Sequence, residues 1–166
     1  MHKDRLGRRT VLAAAAAVLA LAGSARAEPA ARYASVSVDV GPLRARGLGS
    51  YAELVRATMQ AELSAAFADR LGGGGPRLVV RIDAVSMRDY VGGESSRFGG
   101  SGGASNDYLE GEAMVIGRRG EVLLRRPQLS ALPASSGGAW YLPDNENRRL
   151  AAISRHFAAW LRRGLG

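Results

Sequence analysis

Residues 77–87 read RLVVRIDAVSM, and residues 107–124 read DYLEGEAMVIGRRGEVLL. In the first run Leu78, Val80, Ile82 and Ala84 alternate with Val79, Arg81, Asp83 and Val85. In the second, Leu109, Gly111, Ala113 and Val115 alternate with Tyr108, Glu110, Glu112, Met114 and Ile116. Period-two alternation with β-branched residues marks strands that bury one face. Gly117-Arg118-Arg119-Gly120 brackets a tight turn into Glu121–Leu124, so the later two strands form a hairpin. Between the runs lies VGGESSRFGGSGGASND, residues 91–107, with six Gly and four Ser. Ordering so many glycines costs backbone entropy, and little apolar surface is present to offset it. A flexible loop over 91–107 is expected, with Arg97 and Phe98 as candidate partner contacts.

Working outward, Tyr33–Val40 (YASVSVDV) alternates as a first strand, which Gly41-Pro42 stops; Leu43–Gly49 reads as a connection. Ser50-Tyr51-Ala52-Glu53 has the S-x-x-E form of a capping box and predicts a helix from Ser50 to Leu71. Its buried stripe is Tyr51, Val55, Met59, Leu63, Ala66 and Phe67. Gly72–Gly75 and Pro76 end it. A helix between two strands implies a right-handed crossover and parallel pairing. After the hairpin, Arg125-Arg126-Pro127 begins to break the strand, though Gln128–Ala131 extend it if it survives the proline. Leu132–Leu142 reads as loop, pinned to the body by Trp140 and Tyr141, two further candidate partner contacts. Asp144 or Asn145 caps the last helix, whose stripe is Leu150, Ile153, Phe157, Trp160 and Leu161. Arg155, Arg162 and Arg163 suit the negative end of its dipole. The expected fold is α+β: a two-layer sandwich in the order β-α-β-β-β-α, with a four-stranded mixed sheet and two helices on one face. Residues 28–166 form a single domain.

Residues 1–27 have the three parts of a secretory signal peptide. Lys3, Arg5, Arg8 and Arg9 form a basic region, Val11–Ala22 is apolar, and Ala25-Arg26-Ala27 is an A-x-A cleavage site. Arg8-Arg9-Thr10-Val11-Leu12 is also twin-arginine-like, and the general and twin-arginine routes both stay open. The apolar run is shorter than the ~20 residues of a membrane span, so membrane association is expected only through an uncleaved leader. The formal net charge of +8 is shared with this leader, which holds five of the 23 basic and one of the 15 acidic residues. The remaining 18 basic groups are all Arg. That mild excess, in an exported chain, points to anionic envelope polymers or lipid head groups before nucleic acid. There is no Cys. Disulfides, thiolate metal sites, a Cys nucleophile and a lipidated N-terminal Cys are thereby excluded.

Gly99-Gly100-Ser101-Gly102-Gly103 matches G-x-S-x-G, but a nucleophile elbow needs a strand before it and a helix after it, and here a strand follows. His156 is the only histidine beyond the leader. A Ser-His-Asp triad would have to join it to Ser101, and the ordinary alternative is a partly exposed helix histidine. One His does not make a metal cluster. Glu110 and Glu112 share a strand face near Asp107. They suit acid–base work or Ca²⁺, or else a solvent face paired with Arg81 or Arg125. No catalytic, cofactor or metal site is expected.

The element order, the long connection before the third strand, and Asp144-Asn145-Glu146 opening the last helix resemble the LPS-assembly lipoprotein family of Gram-negative outer membranes. The resemblance spans about residues 33–163 and implies an envelope compartment and a similar α+β architecture. The missing lipobox Cys departs from that family, and no functional residue carries over. The expectation is an exported, periplasmic, non-enzymatic accessory or binding protein of the cell envelope, with an envelope protein complex or an anionic polymer or lipid as its partner. An envelope serine hydrolase using Ser101 and His156 and a subunit of an outer-membrane assembly complex are the alternatives.

Overall fold

Four strands, Ser35–Asp39 (β1), Arg77–Ser86 (β2), Asn106–Ile116 (β3) and Val122–Pro133 (β4), form one sheet in the order β1-β2-β3-β4. The computed structural model describes residues 32–87, 106–139 and 141–166. The expected leader and the expected Gly/Ser loop up to residue 105 lie outside the described residues. β1 runs parallel to β2, and β2, β3 and β4 are antiparallel neighbours. A parallel pair needs a long crossover, and the helical segment between β1 and β2 supplies it. That segment holds Gly41–Ala45 (α1), Gly49–Ala66 (α2) and a 3₁₀ turn at Ala68–Arg70. A second 3₁₀ turn, Ala134–Gly137, leads towards Asn145–Gly164 (α3).

One face of the sheet carries Leu78, Val80, Ile82, Leu109 and Ala113, all buried. Ala52, Val55, Met59 and Leu63 of α2 and Leu150, Ile153, Phe157 and Leu161 of α3 cover it in a single core. Phe67, just past α2, meets Tyr33 edge-on with ring centroids 5.8 Å apart. The α+β two-layer sandwich with a four-stranded mixed sheet is therefore present, with both long helices on one face.

Several local expectations are corrected. Gly41-Pro42 opens the short helix α1 rather than a connection, because a proline in the first turn lacks only an N–H that a helix start does not use. The Ser50/Glu53 capping box does not form. α2 begins at Gly49, its N-cap is Leu48, and no side chain caps it. Glu53 accepts from Arg44 Nε at 2.8 Å and Arg56 Nε at 2.9 Å instead; two guanidiniums draw a carboxylate more strongly than one neutral amide. These bonds hold the Glu53 carboxyl below its usual range. α2 stops at Ala66, and Leu71 pairs with Tyr33 in an isolated parallel bridge.

In β2 the register shifts between Ile82 and Ala84. The bulge at Asp83 inverts the alternation beyond it, so Val85 packs against the core and Ala84 pairs with Glu110. Gly111 sits opposite Ile82, where an added Cβ would strike the carbonyl oxygen of Arg81. β4 does not break at Pro127, nor does it give way to loop at Leu132. It runs twelve residues to Pro133. As the edge strand among the described residues it has no strand on one side to ask for the missing N–H. Asp144 holds the N-cap position of α3 but makes no side-chain cap; its carboxylate accepts from Arg148 Nε at 2.7 Å. Trp160 does not belong to the buried stripe and is 52 % exposed.

Two predictions follow from this packing. Phe157→Ala removes a fully buried ring and lowers unfolding free energy by about 3–5 kcal/mol, whereas Trp160→Ala costs under about 1 kcal/mol, as measured by urea denaturation. Arg162 holds the Asp69 carboxyl down to about 2 from its ordinary 3.8. A depressed folded value means that this ion pair's contribution is present above the ordinary value and is lost as pH falls towards 2. Asp69→Asn flattens the acid limb of a stability-versus-pH curve between those values and leaves the neutral region unchanged in shape.

Candidate functional site

Among the described residues β4 pairs with β3 on one side only, and its side chains Arg126 and Gln128 reach back to α3. Arg126 Nη1 donates to the Gly164 carbonyl at 2.9 Å, and Gln128 Nε2 donates to the Phe157 carbonyl at 2.8 Å. Residues two apart on a strand share a face, so both contacts come from the helix side of β4. Arg126 places its charge at the negative end of the α3 dipole. Gly164 permits this, because a Cβ there would collide with the guanidinium.

Beside these clamps a cavity of about 440 Å³ opens along the edge, lined by Arg126, Pro127, Gln128, Leu129, His156 and Trp160. The guanidinium of Arg163 lies 4.2 Å from the centre of the Trp160 ring, a cation–π contact. Trp160 Nε1–H donates to His156 Nε2 at 2.9 Å. An indole N–H only donates, so this bond assigns the imidazole proton to Nδ1. Nδ1 is buried without a hydrogen-bond partner among the described residues.

On the opposite face of the sheet a second cavity of about 260 Å³ is lined by Arg81, Asp83, Glu110, Gly111 and Glu112, together with the same Pro127, Gln128 and Leu129. Here Glu112 lies 3.5 Å from Arg81 and 3.0 Å from Arg125, and Arg81 Nε is 2.7 Å from Asp83. The expected pairing of the β3 carboxylates with Arg81 and Arg125 is thus present for Glu112, and the charges there neutralise one another. The two cavities meet at the middle of β4, one on each face. Leu129 stands 65 % exposed at that junction, and Val122, Leu123 and Leu124 are exposed further along the strand.

A buried ion pair positions the helix that makes the first cavity. Arg149 of α3, 7 % exposed, forms a bidentate pair with Asp107 of β3, 2 % exposed, through Nε–Oδ2 at 2.9 Å and Nη2–Oδ1. Asp107 is therefore on the core face, not beside Glu110 and Glu112. Asn145 Nδ2 donates to the Ala139 carbonyl at 3.1 Å and the Gly138 carbonyl at 3.4 Å. Gly137 lets the 3₁₀ turn press against α3, since a Cβ there would strike Arg149. Burial raises the Tyr51 hydroxyl pKa, with Glu146 and Asp107 adding to the rise and Arg149 opposing it.

Of the residues expected to touch a partner, Arg97, Phe98 and Trp140 lie outside the described residues, as does Ser101. Tyr141 is 71 % exposed. His156 joins Trp160 at the edge cavity. The residues that assemble there, Arg126, Gln128, Leu129 and Trp160, were not singled out as a site by sequence. One signal was available: at 3.6 residues per turn Trp160 lies about 80° from Leu150 around the helix, at the margin of the stripe.

No family model matches the chain, and no curated protein matches it significantly. Among solved structures it is similar to a minor lipoprotein from Acinetobacter baumannii. The two are 13 % identical with a TM-score of 0.33, over 81 % of this chain and 89 % of that one. A likeness at that TM-score carries no argument about function.

The buried pair has a measurable signature. Arg149→Met alone strands a buried carboxylate and lowers stability by about 3–5 kcal/mol. Combining it with Asp107→Val restores more than half of that loss, as a double-mutant cycle by chemical denaturation reads directly.

Proposed function

We propose that this chain is an exported, non-enzymatic accessory protein of the bacterial cell envelope that binds a partner at the β4–α3 edge. The observation that carries the binding half is the pair of cavities meeting at an exposed edge strand, with Trp160 and Leu129 turned to solvent and Arg126 and Arg163 beside them. A large aromatic, an aliphatic side chain and arginines together at one open rim are the chemistry of recognition surfaces. The export half rests on the basic, apolar and A-x-A parts of residues 1–27. Among the described residues no helix is long and apolar enough to cross a membrane.

The hydrolase alternative needs a free imidazole lone pair on His156 to take a proton from Ser101, and with the proton on Nδ1 that lone pair is on Nε2. In the arrangement described, that lone pair accepts from Trp160. The outer-membrane assembly reading rests on the Asp144-Asn145-Glu146 resemblance and differs from the leading one only in the partner.

Expression of the full chain with a C-terminal tag tests the proposal. Periplasmic extract is expected to yield a protein whose N-terminal sequence starts at Glu28, and a fluorophosphonate probe is expected to leave it unlabelled. Retention in the cytoplasm with the leader intact contradicts the export reading. Labelling that disappears in Ser101→Ala contradicts the non-enzymatic one.

A further inference from the structure

We infer that the free edge of β4, over Leu124–Ala131, accepts an extended strand from a second polypeptide, one that turns acidic side chains toward α3. This deepens the binding reading above and rests on it. β4 is twelve residues long, and on its outer side no strand among the described residues takes up its backbone N–H and C=O groups. The opposite edge, β1, has only five residues. An unpaired edge of that length is a template for one more strand unless something blunts it. Pro127 removes a single donor and leaves the remaining backbone groups in place.

The two cavities give the edge its selectivity. A strand added beside β4 turns successive side chains to opposite faces of the sheet. The cavities lie on those two faces and share Pro127, Gln128 and Leu129, so neighbouring side chains of one added strand enter one cavity each. On the outer face Glu112 already pairs with Arg81 and Arg125, and Arg81 with Asp83. On the helix side Arg126 bonds only a carbonyl and Arg163 only the Trp160 ring, with no carboxylate partner for either among the described residues. Carboxylates on the incoming strand would complete both arginines. A second copy of this chain is a poorer occupant, because it would bring another Arg126 and Arg163 to the same side of the joined sheet.

A fluorescein-labelled ten-residue peptide of alternating Glu and Val, titrated into the full mature chain by anisotropy, tests this. Saturable binding is expected, about tenfold or more tighter than for the matching Lys–Val peptide. Methylating alternate backbone nitrogens, which removes the ladder hydrogen bonds, is expected to abolish binding. Trp160→Ala and Arg126→Glu are each expected to weaken it about tenfold or more, and Leu54→Glu on the exposed side of α2 to leave it unchanged. Arg126 also anchors α3, so Trp160→Ala is the deciding variant if Arg126→Glu unfolds. Absence of saturable binding, equal binding of the Lys–Val or the N-methylated peptide, or indifference to Trp160→Ala overturns the inference. So does displacement of the probe by phosphatidylglycerol vesicles that themselves bind with the same sensitivity to Trp160→Ala, which would make the edge an anionic-surface site. If the probe fails while periplasmic, unlabelled protein is still recovered, the export and non-enzymatic readings stand and only strand addition falls.

Discussion

The bidentate contact between Arg149 and Asp107 ties α3 to the sheet at a point where both groups are buried. A carboxylate and a guanidinium removed from solvent are each costly, and only their mutual geometry repays that cost. The pair therefore favours the placement of the helix that keeps both of its hydrogen bonds. Apolar contacts such as those of Leu150, Ile153, Phe157 and Leu161 are non-directional, whereas the bidentate pair is directional. With its first two turns held by Asn145 and Arg149 and its later turns by Gln128 and Arg126, α3 is held along its length.

That placement decides what the surface presents. The two long helices are packed into one core with a single face of a four-stranded sheet, and the sheet order puts the longest strand on the outside. Trp160 and His156 come to rest beside β4 rather than beneath it, which is why a residue near the hydrophobic stripe of a helix ends half in water. The outer face of the sheet manages its own charge through the Arg81, Glu112 and Arg125 ladder. The helix side of the edge is left with cations and an aromatic ring, and this asymmetry gives the edge chemical character on one side only.

The strands, the parallel crossover, the hairpin and the two-layer arrangement were legible in the sequence because each is a local period set by which face is buried. What was not legible depends on neighbours distant in sequence. Glu53 leaves its expected capping role because α1 brings Arg44 within reach. Pro127 survives in β4 because sheet order, which no local pattern encodes, makes that strand an edge. Asp107 looked like a third carboxylate beside Glu110 and Glu112, and strand parity puts it on the core face, where Arg149 is 42 residues away along the chain. The edge cavity is illegible for the same reason: Arg126 reads as the start of a break in the strand and Gln128 as its continuation, His156 as a partly exposed helix histidine and Trp160 as part of the helix stripe. Only the packing of α3 on β4 joins them.

Among the described residues the outer edge of β4 is open, and the account requires it to be open in the isolated protein. Amide hydrogen exchange resolved residue by residue along 122–133 tests it most directly. Alternation is predicted, with amides directed at β3 protected to near the global limit and the intervening ones exchanging close to the rate of an exposed chain. Uniform protection along the whole strand at micromolar concentration would mean that the edge is already covered, and would contradict the claim.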